Sequence, residues 1–343
     1  MGWHPGQLLS AGFEGGSAPA DLLEMIRQGE VGGVILFARN VENPGQLRRL
    51  VATLHAAAPA ESPLLVSIDQ EGGRVQRLRA PWTEWPPMRA LGERDRPQET
   101  RALGAALGRE LADLGIDLDF APVVDVDTNP DNPVIGDRSF ARTPDAVGRH
   151  AIALIEGLHA EGVATCAKHF PGHGDTEVDS HLALPRVDHS IERLREIELP
   201  PFRAAAAAGV ASVMTAHVIV SALDAERPAT LSPSVLSLLR QEIAYDGVVF
   251  SDDLDMAAIA DYFTPGEATR LALEAGCDAL LACRRPDVRD AALAALQSLP
   301  DRLLEGPARR MKALKLRYAG GLRAGEVEPP YASHAELAAR LQA

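Results

Sequence analysis

Eight short apolar runs rich in β-forming residues recur along the chain, and between successive runs lie segments with helical patterning. The runs are 7–13, 33–37, 64–69, 116–121, 164–170, 212–218, 247–251 and 279–283. The helical segments are 21–28, 44–58, 99–114, 144–161, 191–208, 233–243 and 266–275. Strands buried on both faces read as unbroken apolar stretches, as Val34-Ile35-Leu36-Phe37 and Val248-Val249-Phe250 do, so the alternation predicts a parallel sheet. Eight β-then-α units favour closure into a (β/α)8 TIM barrel, an α/β fold, over an open doubly wound sheet. No glycine-rich dinucleotide loop follows any run.

Punctuation supports the assignment. Gly162, Gly209 and Gly276 each follow a helical segment, while Ser232-Pro233 and Thr264-Pro265 have the form of an N-cap followed by proline at the first helical position. The chain shows neither repeats nor a linker rich in Pro, Gly or Ser. We expect one catalytic barrel domain with extended loops over residues 1–320, and a C-terminal tail or helix packed on it over 321–343.

A net charge of −14 without a Lys/Arg run argues against nucleic acid as a partner. The three cysteines, Cys166, Cys277 and Cys283, are widely spaced and read as buried thiols rather than a disulfide framework or metal motif. The stretch 204–222 lacks charged residues, but alanine dominates it and Gly209 interrupts it, so it reads as a helix end and a buried strand rather than a membrane span. The first residues lack a basic segment followed by a long apolar run, so the expectation is a cytoplasmic protein with no membrane association.

A parallel barrel places its active site at the C-terminal ends of its strands. Polar residues concentrate there. The third run leads into Asp69-Gln70-Glu71-Gly72-Gly73-Arg74-Val75-Gln76-Arg77, and the segment after the fourth holds Asn132 to Phe140 with Arg138. The fifth ends in Lys168-His169-Phe170-Pro171-Gly172-His173-Gly174-Asp175, followed by Asp179-Ser180-His181; the sixth ends near His217 and the seventh in Ser251-Asp252-Asp253. Carboxylates, arginines, a lysine and histidines around one mouth suit a hydroxyl-rich ligand: Asp69 can accept from two sugar hydroxyls, and Lys168 and His169 can donate. Asp252, at a strand end, is placed as a nucleophile or as an electrostatic stabiliser of a cationic transition state.

These three motifs, 69–77, 168–181 and 250–254, resemble those of the glycoside hydrolase family 3 β-N-acetylglucosaminidases of the NagZ type, over nearly the whole chain. The resemblance implies Asp252 as the nucleophile of a retaining mechanism, His181 as acid/base and Asp179 as the carboxylate that polarises its imidazole. It implies Asp69, Arg77, Arg138, Lys168 and His169 as sugar-binding residues. The substrate it implies is a small carbohydrate: terminal non-reducing β-linked N-acetylglucosamine on peptidoglycan (muropeptide) fragments in wall recycling. No metal or organic cofactor is required, and a monomer is expected. A histidine near its ordinary pKa of about 6.5 can donate to the glycosidic oxygen and later deprotonate water.

Alternatives stand beside this reading. A histidine acid/base does not repel phosphate, so a phosphorylase of the same family is one. A metallohydrolase using His169, His173, Asp175, Asp179 and His181 is another, although HEXXH is absent; a sugar-binding barrel without catalysis is a third. Arg74 and Glu71 are expected to form an ion pair that shapes their loop. His173 and His217 either line the pocket or hold a loop. Asp252 and Asp253 are expected to point to opposite sides of their strand, so that only one faces the pocket.

Overall fold

The computed structural model describes residues 3–176, 184–320 and 329–342. Eight strands form a closed barrel: β1 (Leu9–Ala11), β2 (Gly33–Leu36), β3 (Leu65–Ile68), β4 (Leu118–Asp119), β5 (Ala164–Phe170), β6 (Ser212–Thr215), β7 (Val248–Asp253) and β8 (Ala279–Ala282). Each strand pairs in parallel with its sequence neighbours, and β8 closes on β1 through Leu9 opposite Leu280. The α/β barrel read from the alternating runs is the observed fold. Several runs extend beyond their strands; the fourth pairs over two residues only, and its Asp117 and Asp119 carboxylates accept from backbone in and just after β3, Val66 N–H (2.8 Å) and Gln70 N–H (2.9 Å).

The outer layer begins with α1 (Ala20–Arg27), α2 (Pro44–Ala57), α3 (Pro97–Leu114) and α4 (Pro144–Ala160), and continues with α5 (Leu199–Ala207), α6 (Pro233–Ser237) and α7 (Pro265–Ala275). After β8 come α8 (Pro286–Ser298), α9 (Asp301–Tyr318) and α10 (Ala332–Gln342). The Ser232 and Thr264 hydroxyls accept from Val235 and Glu267 N–H, so both expected caps form. Gly209 adopts a positive φ of 75° as α5 gives way to β6, a left-handed exit that glycine takes without strain. The segments expected as single helices over 191–208 and 233–243 each contain a π-helical turn, Leu194–Glu198 and Leu238–Glu242. Among the described residues no helix is long and apolar enough to cross a membrane; the 204–222 stretch divides into the end of α5 and β6.

Strand side chains fill the barrel. Phe120 and Phe250 meet edge-to-face at 5.4 Å, both fully buried, a geometry that adds to their area burial. All three cysteines are buried free thiols, and burial pushes the Cys166 thiol up to about 12, which keeps it protonated and inert.

Candidate active site

Two strand ends depart from regular pairing, and these departures build the site. On β5 the register shifts between Ala167 and Phe170 relative to β6, so three residues span what two span on the partner. On β7 it shifts between Phe250 and Asp253 relative to β8. A bulge breaks the strict alternation of side chains. Lys168 and His169 consequently line one cavity although adjacent, and so do Asp252 and Asp253. Both aspartates border the cavity, while the Asp253 carboxylate is engaged by the Asp255 and Cys283 N–H groups.

The cavity at the C-terminal mouth measures about 290 Å³. Asp69, Arg77, Arg138, Lys168, His169 and Asp252 all line it. Ile35, Phe37, Met214 and Leu281 supply an apolar wall. Residues Asp179 and His181 lie outside the described residues.

A chain of charges crosses the floor. Lys168 Nζ lies 2.7 Å from Asp69 Oδ1 and 2.6 Å from Glu71 Oε1. Arg77 donates to the other oxygen of Asp69 at 3.1 Å, and its guanidinium lies 5.3 Å from the centre of the Phe37 ring. Arg138 grips both oxygens of Glu71 at 2.8 Å. Burial alone would raise the pKa of Asp69 and Glu71. The cations outweigh it, Lys168 and Arg77 for Asp69, Arg138 and Lys168 for Glu71, so Asp69 is held far below the usual carboxylate range and Glu71 at about 2. Burial likewise works against the Lys168 ammonium, and the two carboxylates reverse it. Both acids are ionised and the lysine charged. Asp69 therefore keeps acceptor sites beyond the two its cations occupy, and Lys168 keeps one N–H.

The expected Arg74–Glu71 pair is absent. Arg74 instead bonds Asp137 at 3.1 Å and the Val134 and Ile135 carbonyls, while Glu71 turns inward to Arg138 and Lys168. The residues sit on a tight hairpin, 70–72 with 75–76, whose two sides face different neighbours.

Sequence reading missed Asp125. Its carboxylate, fully buried, accepts His169 N–H (3.2 Å), His173 N–H (2.7 Å) and the His169 ring at Nδ1 (2.7 Å). Burial opposes its charge, but the two histidines override that and lower its pKa. Arg138 Nη2 lies 3.5 Å from His169 Nε2. The His169 ring is thus held between Asp125 at Nδ1 and Arg138 at Nε2. The only sequence signal for Asp125 is one acid inside the apolar stretch 121–126.

The two undecided histidines separate. His173 lines the cavity and bonds Thr176 at 2.6 Å; burial depresses it to about 4, so it is neutral. His217 is fully buried and holds the end of β7 through the Asp253 carbonyl at 2.9 Å. Asp252 Oδ1 accepts from Asp253 N–H at 2.8 Å. Asp253 has its own carboxylate engaged with Asp255 and Cys283 N–H, both at 3.0 Å, and burial raises it to about 7. Among the described residues no group of three His, Cys, Asp or Glu is arranged to hold a metal ion; His169, His173 and Asp175 face Asp125, Thr176 and His189 respectively.

A closed parallel barrel with a charged, hydroxyl-complementary cavity at the strand ends defines a (β/α)8 enzyme for a small polar ligand. The chain belongs to glycoside hydrolase family 3 and is a glycoside hydrolase: the glycosyl hydrolase family 3 N-terminal domain matches residues 5–313. It is 46% identical over 268 residues, 76% of this chain and 73% of the relative, to a β-hexosaminidase of Neisseria meningitidis serogroup C. The structure of a family 3 β-N-acetylglucosaminidase from Paenibacillus sp. FPU-7 superposes with a TM-score of 0.91 at 43% identity, covering 98% of this chain and 67% of that one. NagZ from Neisseria gonorrhoeae superposes at 0.87 with 35% identity, each chain covered in full.

Proposed function

We propose that this protein is a retaining exo-β-N-acetylglucosaminidase. It releases terminal non-reducing β-linked N-acetylglucosamine from small glycans, specifically peptidoglycan (muropeptide) fragments in cytoplasmic wall recycling, acting as a monomer. The catalytic barrel is residues 1–320, with 321–343 as a C-terminal addition.

The observation that carries the reading is the convergence of Asp69, Arg77, Arg138, Lys168, His169 and Asp252 on one cavity of about 290 Å³. That is close to the lower end, about 300 Å³, of small-molecule pockets, which suits one sugar residue better than a polymer. The β-hexosaminidase and β-N-acetylglucosaminidase relatives support the N-acetyl specificity.

In the proposed mechanism the Asp69, Glu71, Lys168 and Arg138 array orients the sugar hydroxyls. Asp252 attacks the anomeric carbon to form a glycosyl ester while His181, polarised by Asp179, protonates the leaving oxygen. The same histidine then takes a proton from water as water attacks the anomeric carbon and frees Asp252. No metal takes part.

The test is hydrolysis of p-nitrophenyl β-N-acetylglucosaminide against the β-glucoside, each with and without phosphate and EDTA. Selective, EDTA-resistant release of free sugar from the N-acetyl substrate is expected, even in phosphate. A sugar 1-phosphate product means a phosphorylase, and loss of turnover on chelation means a metallohydrolase.

A further inference from the structure

The C-terminal helix α10 lies beyond the residues matched by the family domain, 5–313, yet it touches the platform on which the sugar-binding hairpin rests. The hairpin carrying Glu71, Arg74 and Arg77 turns at Gly72 and Gly73, both with positive φ (95° and 56°). A Cβ on Gly72 would fall 2.6 Å from the Pro86 carbonyl oxygen, and one on Gly73 would fall 2.9 Å from Pro87 Cα. The turn is therefore seated directly on the backbone of 85–87. Two hydrogen bonds sew it there: Gly73 N–H to Trp85 O (2.9 Å) and Trp85 N–H to Gln76 Oε1 (3.0 Å).

The other side of this platform meets the C-terminal segment. The His334 ring lies 6.1 Å from that of Trp85 and stacks on Tyr331 at 5.0 Å with 5° between planes. His334 Nδ1 lies 2.8 Å from Glu110 Oε1 on α3. The same buried carboxylate accepts the hydroxyl and N–H of Thr83, whose carbonyl holds Gln76 Nε2 at 2.7 Å. The Tyr331 hydroxyl donates to Asp113, also on α3, at 3.2 Å.

We infer that α10 and the residues leading into it form a brace for the sugar-binding hairpin. His334 and Tyr331 are its positioning residues, acting on Glu71 and Arg77 through Trp85, Glu110 and Gln76. Two contact routes, the tilted ring contact of His334 with Trp85 and the Glu110 to Thr83 to Gln76 relay, end on the same hairpin. The hairpin's strands are short, two and three residues, too little pairing to hold the turn without outside support.

The consequence for kinetics rests on the sugar-binding role of the hairpin. Loosening groups that bind the sugar equally in ground and transition states raises KM and leaves kcat in place. His334→Ala is expected to raise KM for p-nitrophenyl β-N-acetylglucosaminide by about three- to tenfold with kcat within about twofold. Amide hydrogen exchange over residues 70–78 and 83–87 should quicken by about tenfold in the same variant. His334→Gln, which restores a donor toward Glu110, should recover much of both.

Leu296→Ala separates bracing from general destabilisation. Leu296 is buried on α8, which carries none of the brace contacts, so its truncation should lower the melting temperature without moving KM. Equal KM shifts in the two variants, or unchanged KM and exchange in His334→Ala, overturn the brace. The exchange readout needs no turnover. Wild-type protein without hexosaminidase activity but with faster exchange in His334→Ala overturns the proposed function and upholds the brace.

Discussion

Arg138 and Glu71 meet in a bidentate pair, with Nε and Nη2 each 2.8 Å from a carboxylate oxygen, across 67 residues of sequence. The pair ties the hairpin after β3 to the loop after β4, and the same guanidinium approaches His169. Glu71 is 2% exposed, so its charge depends wholly on Arg138 and Lys168.

Glu71→Gln should therefore act on stability as well as on substrate binding. Removing one partner of a buried pair typically costs about 3–5 kcal/mol because the other charge is left without compensation. Chemical denaturation of the variant at neutral pH is the measurement, and a loss under about 1 kcal/mol would mean that Lys168 and Arg138 re-pair with Asp69.

The same depressed carboxylates set an acid window. Glu71 titrates at about 2 in the fold against 4.5 ordinarily, and Asp69 is displaced in the same direction. Their stabilisation is fully present above the unfolded values and is lost as pH falls from about 4.5 through about 2. Denaturation curves across this range should steepen toward acid in the wild type, and Glu71→Gln should remove part of the slope.

Asp252 and Asp253 should separate cleanly in turnover despite bordering one cavity. Asp252→Asn is expected to lower kcat by at least about a thousandfold, consistent with loss of a group needed in the transition state. Asp253→Asn should keep the fold and most of the activity, because an amide oxygen still accepts from the Asp255 and Cys283 N–H groups. Comparable losses in both would move the nucleophile role to Asp253 or end the covalent mechanism.

Asp125→Ala should damage the site through His169 and His173. It strips two backbone N–H groups and one ring N–H of their acceptor, at about 1–3 kcal/mol for each buried group left unsatisfied. Asp125→Asn, which keeps one oxygen, should retain more stability while lowering kcat/KM about ten- to a hundredfold through misorientation of His169. Melting curves and kinetics on the two variants separate these effects.

His181→Ala should slow substrates with poor leaving groups far more than activated aryl glycosides, since only the former need proton donation. Equal losses on both would argue against an acid role.

The barrel was legible because apolar periodicity is local. Each run carries its own evidence of two-sided burial, and eight of them with helices between leave few ways to close. The convergence of the cavity residues was legible for a related reason: strand ends in a parallel barrel share one rim, so Asp69, Lys168 and Asp252 were bound to be neighbours. Asp125 was hidden because it sits in an apolar stretch and acts only through residues 44 and 48 positions away. Arg74 and Arg138 were interchangeable as partners of Glu71 until the hairpin's faces were known.

The sequence by itself determined the strand order, the rim on which the polar groups gather and the family to which the chain belongs, because these follow from short-range pattern and motif. Only the tertiary structure decided that β5 and β7 bulge so that adjacent residues border one cavity, that Glu71 pairs with Arg138, that Asp125 holds His169 and His173, and that the C-terminal helix packs against the Trp85 platform under the hairpin. Each of these is a contact between residues distant in sequence or a local break in alternation, set by packing geometry rather than by the identity of sequence neighbours.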